Sequence, residues 1–308
     1  MDKYTKNNDK VAVVGLDLSE MDDRVLEYVH KFNQSFPFEK IIFAHISKEQ
    51  DLPNEILSEY PSLASPLDEG ITIGLEQKIA PLFEGSATQY GIIVKHGSPL
   101  ESFLKISKEN DADLVILGRK KSLDGSGLLS GHIVRKSPAS ILFVTETFKP
   151  AIKDILLPVD FSRHSTIVYD LAQKLQSEGQ AQIRFSHLYS VPLGYYKTGK
   201  SYKEFVEIMK TNASRDFSRF MEVNNINPST TCDYLLADKG PKAQLIYHHA
   251  LETGADLILI GSRGRTATSA LLIGSVVEKL LQIDDEIPIL VVKDKGENMG
   301  FFEALMRI

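Results

Sequence analysis

Short apolar runs alternate with longer amphipathic stretches along the whole chain. In the second half the apolar runs read DILLPVD, QIRFSHLYSV, STTCDYLLA, ADLILIG and IPILVV, with several β-branched residues and little polar alternation. This pattern is typical of strands buried on both faces of a sheet. The stretch STIVYDLAQKLQSEG between them has helical spacing, with apolar residues at Ile167, Val168, Leu171 and Leu175, and Gly179 is expected to end the helix.

Four landmarks recur at one fixed separation, which indicates an internal duplication. The stretches NDADLVILGRK and TGADLILIGSR place Gly118 and Gly261 143 positions apart. The same separation relates three further pairs, Asp17 to Asp160, Gly97 to Gly240 and Gly131 to Gly274. We therefore predict two tandem domains, residues 10–146 and 153–294, joined around Pro150 and followed by a tail of residues 295–308.

The alternation of strand and helix patterns predicts an α/β fold. Each half is expected to be a Rossmann-like lobe, a five-stranded parallel, doubly wound sheet with helices on both faces. The two lobes are expected to pack as a pseudo-dimer.

Composition narrows the classes of function. The 308-residue chain carries a net charge of −6, which argues against binding to nucleic acid or to an anionic membrane surface. Cys232 is the single cysteine, so an intrachain disulfide framework is excluded. The polar N-terminal stretch lacks the apolar core of a secretory signal, and no segment reaches the roughly 20 apolar residues of a membrane span. We expect a cytoplasmic protein.

A ligand site is expected where the order of the strands reverses, because parallel sheets bind ligands outside the carboxyl ends of their strands. Asp160 follows the first strand of the second half and Gly261 ends the fourth. If these two strands are neighbours, both residues face one crevice.

The segment after Gly261 has the composition of a phosphate-binding loop. It reads GSRGRTATSALLIGSVV and places Gly264, Gly274 and Ser275 at the spacing G-x-x-G, nine residues, G-S. Glycines allow the backbone to approach a ligand closely, and the helix that begins at Ser275 would present free N–H groups to an anion. Arg263 and Arg265 add positive charge, although each alone is also explained as a solvated loop charge.

With these motifs the chain resembles the universal stress protein family in its tandem form, over nearly its whole length. The resemblance rests on the glycine loop, the Asp after the first strand, the His in the second strand (His45 and His187) and the glycine step before the third helix. It implies ATP binding, with or without Mg²⁺ and with AMP or ADP as alternatives, and pairing of domains through their last strands. By this resemblance Asp160 contacts the adenosine end and the main chain of Leu188 recognises adenine. The ribose and phosphates would be held by Gly261, Gly264, Gly274, Ser275 and Val276, with Arg263 adding charge nearby.

The first half departs from this loop. Lys121 stands where Gly264 does, His132 stands where Ser275 does, and Asp124 adds a negative charge. We predict that this half binds ATP weakly or not at all. Binding of another anion by Arg119, Lys120 and Lys121 is the alternative to a solvated basic run. Asp17 is retained, and a helix-capping role would explain it equally.

The stretch GYYKTGKS, residues Gly194 to Ser201, fits the phosphate-loop pattern G-x-x-x-x-G-K-[ST]. Pro192 interrupts the strand exit, two adjacent tyrosines occupy the turn, and no apolar strand ending in Asp follows. We interpret this stretch as an insertion after the second strand, and an accessory phosphate contact through Lys200 is the alternative.

No residue is identified as catalytic, and the histidines show no metal-binding spacing. His45 and His187 are expected to pack or to make local hydrogen bonds. The favoured hypothesis is a nucleotide-binding regulatory protein that forms a homodimer and has an unidentified protein partner. A scaffold without nucleotide and a slow ATPase or phosphotransferase are the alternatives. The apolar residues of the tail, Phe301, Phe302, Leu305 and Met306, are expected to pack against the body.

Overall fold

The computed structural model describes residues 10–47, 67–120, 126–149, 151–264, 273–283 and 286–294. The predicted tail and residues Lys121, Asp124 and Arg265 lie outside these ranges. The first half contains β1 (Val11–Leu16), α1 (Met21–Ser35), β2 (Lys40–Ser47), α2 (Leu67–Phe83), β3 (Gln89–His96), α3 (Pro99–Glu109), β4 (Leu114–Arg119), α4 (Ser126–Lys136) and β5 (Ser140–Thr145).

The second half repeats this order of elements. It contains β6 (Asp154–Pro158), α5 (Arg163–Gly179), β7 (Gln182–Tyr189), α6 (Tyr202–Val223), β8 (Cys232–Leu236), α7 (Lys242–Glu252), β9 (Leu257–Gly261), α8 (Ser275–Leu280) and β10 (Ile289–Val292). Helix α5 ends at Gly179 as expected, and the next residue, Gln180, adopts the left-handed conformation, with φ 58°. Within the described residues, no helix has the length and hydropathy of a membrane-spanning segment.

The ten strands form one sheet in the order β3-β2-β1-β4-β5-β10-β9-β6-β7-β8. Strands within each half are parallel, and β1 pairs with β4 as β6 pairs with β9. The first and fourth strands are therefore neighbours at the point where strand order reverses, which confirms the expected arrangement. The halves join through their last strands, since β10 pairs antiparallel with β5 and Leu142 lies opposite Leu290.

Both faces of the sheet are covered, which explains why the strands read as continuous apolar runs. One core cluster packs α1, α2, α5 and α6 against the sheet, and the other packs α3, α4, α7 and α8. Each cluster contains residues of both halves, so the hydrophobic core continues through the junction.

Polar contacts reinforce the junction between the halves. Arg119 is 7% exposed, and its guanidinium donates hydrogen bonds to the main-chain oxygens of Leu281 at 2.7 Å and Ile283 at 2.6 Å, just beyond α8. Arg135 of α4 forms an ion pair with Glu278 of α8. Because β5 and β10 run antiparallel, the carboxyl ends of the strands of the two halves point in opposite directions.

Candidate functional site

A cleft of about 450 Å³ opens at the carboxyl ends of β6, β7 and β9, on the face of the sheet covered by α7 and α8. All of the residues proposed from the sequence as ligand contacts line this one cleft: Asp160, Leu188, Gly261, Arg263, Gly264, Gly274, Ser275 and Val276. They come from three strand ends and from the start of α8, and only the folded sheet brings them together.

Asp160 is held in place by a strained turn that follows β6. Its Oδ1 accepts hydrogen bonds from the Ser162 amide at 3.0 Å and the Ser165 hydroxyl at 2.8 Å, and the Ser165 hydroxyl accepts one from the Asp160 amide at 3.1 Å. The next residue, Phe161, has φ 63°, which is unfavourable for a bulky side chain, and its ring stacks on His187 at 4.2 Å. The turn thus fixes the carboxylate at the cleft.

Close approach of neighbouring atoms, and not an unusual dihedral, explains the glycines at positions 261 and 264. Gly261, Gly264 and Gly274 do not have positive φ, whereas Gly199 and Gly240 do. A Cβ at Gly264 would lie 2.9 Å from Asp160 Oδ2, which is shorter than van der Waals contact allows. The Gly274 amide donates to the Ser262 carbonyl at 2.8 Å and so connects the two ends of the loop.

The main chain of Leu188 faces the cleft beyond the end of β6. The carbonyl of Ser186, two residues earlier in β7, accepts a hydrogen bond from the Val159 amide at 2.8 Å, and alternate residues of a strand direct their main-chain groups to the same side. The last β6 residue paired with β7 is Pro158, opposite Ser186. The Leu188 main chain therefore points past the end of β6, where a ligand has room.

The two strand histidines share one hydrogen-bond geometry, which confirms the expected local role. His187 Nδ1 is 2.8 Å from the Val159 carbonyl oxygen, and His45 Nδ1 is 2.9 Å from that of Leu16. Both rings are buried. Each ring links the second strand of its half to the residue at the end of the first.

Two basic residues line the cleft. The Arg263 side chain is 9% exposed, so its interpretation as a solvated loop charge is wrong. Lys242, the first residue of α7, also lines the cleft. Sequence reasoning missed Lys242, although its place directly after the Gly240-Pro241 step at the end of the third strand could have indicated it.

Arg263 also influences Lys293, which follows β10. Loss of water around the ammonium, and then the positive charge of Arg263, lower the pKa of Lys293 to about 7. The Lys293 ammonium donates a hydrogen bond to the Ser137 carbonyl, and its amide donates to the Ser140 hydroxyl at 3.1 Å. These two hydrogen bonds connect the residue after β10 to the first half.

Helix α8 is short, and this corrects part of the sequence argument. It contains six residues, Ser275–Leu280, so its dipole contributes little to anion binding. The basic residues in the lining of the cleft are instead Arg263 and Lys242.

The corresponding cleft of the first half also measures about 450 Å³ but differs in chemistry. Its lining includes Met21, Val25, Phe103, Leu117 and Phe143. It also contains Asp22, a carboxylate at the position equivalent to Ser165 that sequence reasoning missed. Burial raises the pKa of Asp22 despite the hydrogen bonds that it accepts from the amides of Asp17 and Leu18.

The basic run of the first half is engaged within the protein. Lys120 Nζ lies 2.6 Å from Asp17 Oδ2, and Arg119 binds main-chain oxygens of the second half. Burial alone would raise the pKa of Asp17, but the hydrogen bonds from Lys120 and Ser19 outweigh it and lower the pKa. Neither a solvated run nor an anion site therefore describes Arg119 and Lys120. Asp17 does not cap α1 directly, because its carboxylate binds the amide and hydroxyl of Ser19.

The Gly194–Ser201 stretch leads into α6, and its last residue, Ser201, is the N-cap of that helix. Residues Tyr195–Thr198 make a 3₁₀ turn, and Gly199 is left-handed. The Ser201 hydroxyl accepts from the Glu204 amide at 3.3 Å, while Glu204 Oε2 accepts from the Ser201 amide at 2.8 Å. All eight residues of this stretch are described, and none lines either of the two strand-end clefts.

Two stretches of the chain, residues 10–145 and 151–293, match the sequence model of the family described as Universal stress protein family. Universal stress protein YxiE of Bacillus subtilis is 27% identical over 153 residues, which cover 45% of this chain and 97% of that protein. Universal stress protein MJ0577 of Methanocaldococcus jannaschii is 27% identical over 165 residues, which cover 47% of this chain and 96% of that protein.

A universal stress protein of Archaeoglobus fulgidus shares the fold across both halves. Its crystal structure has a TM-score of 0.63 at 18% sequence identity and covers 92% of this chain and 96% of its own. Because the family model matches each half separately, the chain belongs to the universal stress protein family and is a tandem member of it.

Proposed function

We propose that the chain binds ATP in the cleft of the second half and uses the bound nucleotide as a regulatory signal. The observation that carries this proposal is the convergence of a fixed carboxylate, an exposed strand main chain, a close-packed glycine loop and two cations on a single cleft. Asp160 and the main chain of Leu188 would hold the adenosine end. Gly261, Gly264, Gly274, Ser275 and Val276 would hold the ribose and phosphates, with Arg263 and Lys242 balancing their charge.

The residues present fit such a ligand. Gly264 leaves room beside Asp160 that a Cβ would fill, and Arg263 places a buried positive charge in the lining of the cleft. Mg²⁺ bound to the phosphates would reduce their charge further. ADP or AMP would make the same adenosine contacts with fewer contacts to the cations.

Regulation would follow from the position of the cleft. A ligand shifts a conformational equilibrium only by as much as it prefers one state. ATP would contact β6, β7, β9 and α8, and α8 ends at the carbonyls bound by Arg119 of the first half. Binding would thus favour one arrangement of the two halves, which a protein partner or a second copy of the chain could recognise in the cytoplasm.

The deciding experiment is calorimetric titration of nucleotide-free protein with Mg-ATP, read for stoichiometry. We expect about one site per chain, with loss of binding in Gly264→Lys, which installs the residue of the first half. Two sites per chain would contradict the predicted degeneracy of the first half. No measurable binding would contradict ATP regulation and favour a scaffold that acts through its surfaces.

Turnover measurements separate a regulatory protein from an enzyme. The phosphotransferase alternative requires a phosphate contact from Lys200, and Lys200→Ala would then abolish hydrolysis while ATP still binds. We expect Lys200→Ala to leave both ATP affinity and any slow background hydrolysis unchanged, because its loop caps α6 and does not line the cleft.

A further inference from the structure

A serine hydroxyl in the second cleft lacks a hydrogen-bond partner. Ser186 of β7 lines the cleft and is 1% exposed, and its Oγ makes no hydrogen bond to any described residue. A buried polar group without a partner destabilises the folded protein, so such groups are rare and call for an explanation.

The first half shows that the fold does not require this hydroxyl. Ser186 lies opposite Pro158 of β6, and Ala44 lies opposite Gly15 of β1 at the equivalent position. Ala44 is fully buried within the core. A methyl group therefore satisfies the packing at this position, and the hydroxyl belongs only to the cleft with the glycine loop and the cations.

The position of Ser186 indicates which part of a ligand it would meet. Its side chain is on the same face of β7 as that of Leu188, because residues two apart in a strand share a face. The main chain of Leu188 is the proposed adenine contact, whereas Arg263 and the glycine loop are at the ends of other elements. The hydroxyl is thus at the floor of the cleft, at the base end and not the phosphate end.

We propose that Ser186 is a specificity-determining residue, whose hydroxyl completes its hydrogen bonding with a polar atom on the edge of the bound heterocyclic base. This inference rests on the proposed nucleotide function and deepens it. A hydroxyl both donates and accepts, so it can bind either a ring nitrogen or an exocyclic amine. A base that lacks a polar atom at this edge would leave the hydroxyl unpaired and bind more weakly.

The test combines protein variants with altered bases in a double-mutant design. Full-length wild-type protein and Ser186→Ala are titrated with ATP and with purine riboside triphosphate, 1-deaza-ATP, 3-deaza-ATP and 7-deaza-ATP, each of which lacks one polar group of adenine. For one analogue we expect the loss of affinity relative to ATP to be about tenfold larger in wild type than in Ser186→Ala, whereas losses that arise from the Leu188 main-chain contact should be the same in both proteins. Ser186→Cys, which keeps the shape but only a weak hydrogen-bonding group, should behave like Ser186→Ala.

Ser107→Ala provides a matched control. Ser107 of α3 is also buried and its Oγ also makes no hydrogen bond to a described residue, but it lines neither strand-end cleft. Without nucleotide, both alanine variants should be at least as heat-stable as wild type, since each loses an unpaired hydroxyl. Only Ser186→Ala should change the discrimination between bases.

The outcomes separate this inference from the proposed function. In one outcome, wild type binds ATP while each analogue loses the same affinity relative to ATP in wild type and in Ser186→Ala. In that case the hydroxyl does not contact the base, so the inference is overturned and the proposal of ATP binding stands. If wild type binds neither ATP nor any analogue, the proposed function fails and the inference fails with it.

Discussion

Arg135 of α4 and Glu278 of α8 occupy equivalent positions in the two halves, 143 residues apart, and form an ion pair with each other across the junction. In a symmetric pair of identical domains, a residue at the two-fold axis meets its own copy, so a charged residue there would face a like charge. Duplication within one chain has allowed the two copies to carry opposite charges. The pair therefore favours association of the two different halves over association of two identical ones.

Reversing either charge should expose this preference. The side chains of Arg135 and Glu278 are 39% and 36% exposed, so solvent screens the pair and its contribution is modest. We expect Arg135→Glu and Glu278→Arg each to lower the free energy of unfolding by about 1 kcal/mol, and the double variant to recover most of the loss. Urea unfolding of the four proteins measures this, and losses that simply add in the double variant would contradict the pairing.

Gly264 is the loop position at which substitution should affect binding most directly. A Cβ there would lie 2.9 Å from Asp160 Oδ2, and Asp160 is held by Ser162 and Ser165, so the carboxylate cannot move freely. We expect Gly264→Ala to weaken ATP binding at least about tenfold, which corresponds to about 1.4 kcal/mol, with a smaller change in stability.

Gly194→Ala is the control for this substitution. A Cβ at Gly194 meets no atom within 4 Å, and the residue belongs to the phosphate-loop-like stretch. Unchanged ATP affinity in Gly194→Ala, measured by the same titration, would show that the Gly264 effect is local. Equal losses in both variants would instead favour a functional role for the Gly194–Ser201 stretch.

The sequence was sufficient to predict the fold because its signals are repeated. Buried parallel strands give apolar runs, and the fixed separation between Asp17 and Asp160, or Gly118 and Gly261, aligns one half with the other. The order of strands at the reversal point followed from that architecture. Asp160 and the glycines of the second cleft could be named in advance because strand ends and glycine spacing are local features, whereas Leu188 and Val276 were indicated only by the family resemblance.

Features that depend on contacts between the halves could not be predicted. Arg119 reads as part of a basic run, and only the antiparallel pairing of β5 and β10 places it beside carbonyls 162 and 164 residues away.

The unpaired hydroxyl of Ser186 depends on what surrounds it in three dimensions. Left-handed Leu18 and Phe161 were also missed, because bulky residues rarely adopt that conformation.

Arg119 and its neighbour Lys120 should differ in their effect on stability. Arg119 is buried and binds two carbonyls, and its removal would leave both without these charged donors. We expect Arg119→Ala to cost about 2–3 kcal/mol. Lys120 makes a partly exposed ion pair with Asp17, so Lys120→Ala should cost less than about 1 kcal/mol. Chemical unfolding of both variants checks the contrast, and similar costs would contradict the assigned role of Arg119.

Leu18 offers a stabilising substitution. It has φ 62° and is 50% exposed. The left-handed backbone conformation destabilises the folded protein, and the half-exposed side chain offsets this only in part. We expect Leu18→Gly to raise the free energy of unfolding by about 0.5–1 kcal/mol. Leu193 is 94% exposed without positive φ, and Leu193→Gly should be neutral or destabilising. The prediction fails if thermal unfolding shows both glycine variants to be destabilised alike.

Lys293 should make the stability of the protein depend on pH above neutrality. Its pKa is about 7 in the folded protein, whereas an unperturbed lysine has a pKa of 10.5. Between these values the unfolded chain binds more protons than the folded protein, so the contribution of Lys293 to stability rises with pH. Below pH 7 the lysine is protonated in both states, and the cost of holding its charge beside Arg263 is fully present.

Replacing Lys293 by Met should therefore flatten this part of the pH profile. A tenfold change in a protonation equilibrium corresponds to about 1.4 kcal/mol, so the stability of Lys293→Met relative to wild type should be higher at pH 7 than at pH 9.5 by at least about 1 kcal/mol. Lys149→Met is the control variant, because it removes another lysine that bonds across the junction, to the Gly254 carbonyl at 2.9 Å and to the Asp256 carboxylate at 2.7 Å. Urea unfolding at half-unit pH intervals measures all three profiles. Parallel profiles for wild type and Lys293→Met would show that the ammonium remains hydrated in solution and that Arg263 does not act on it.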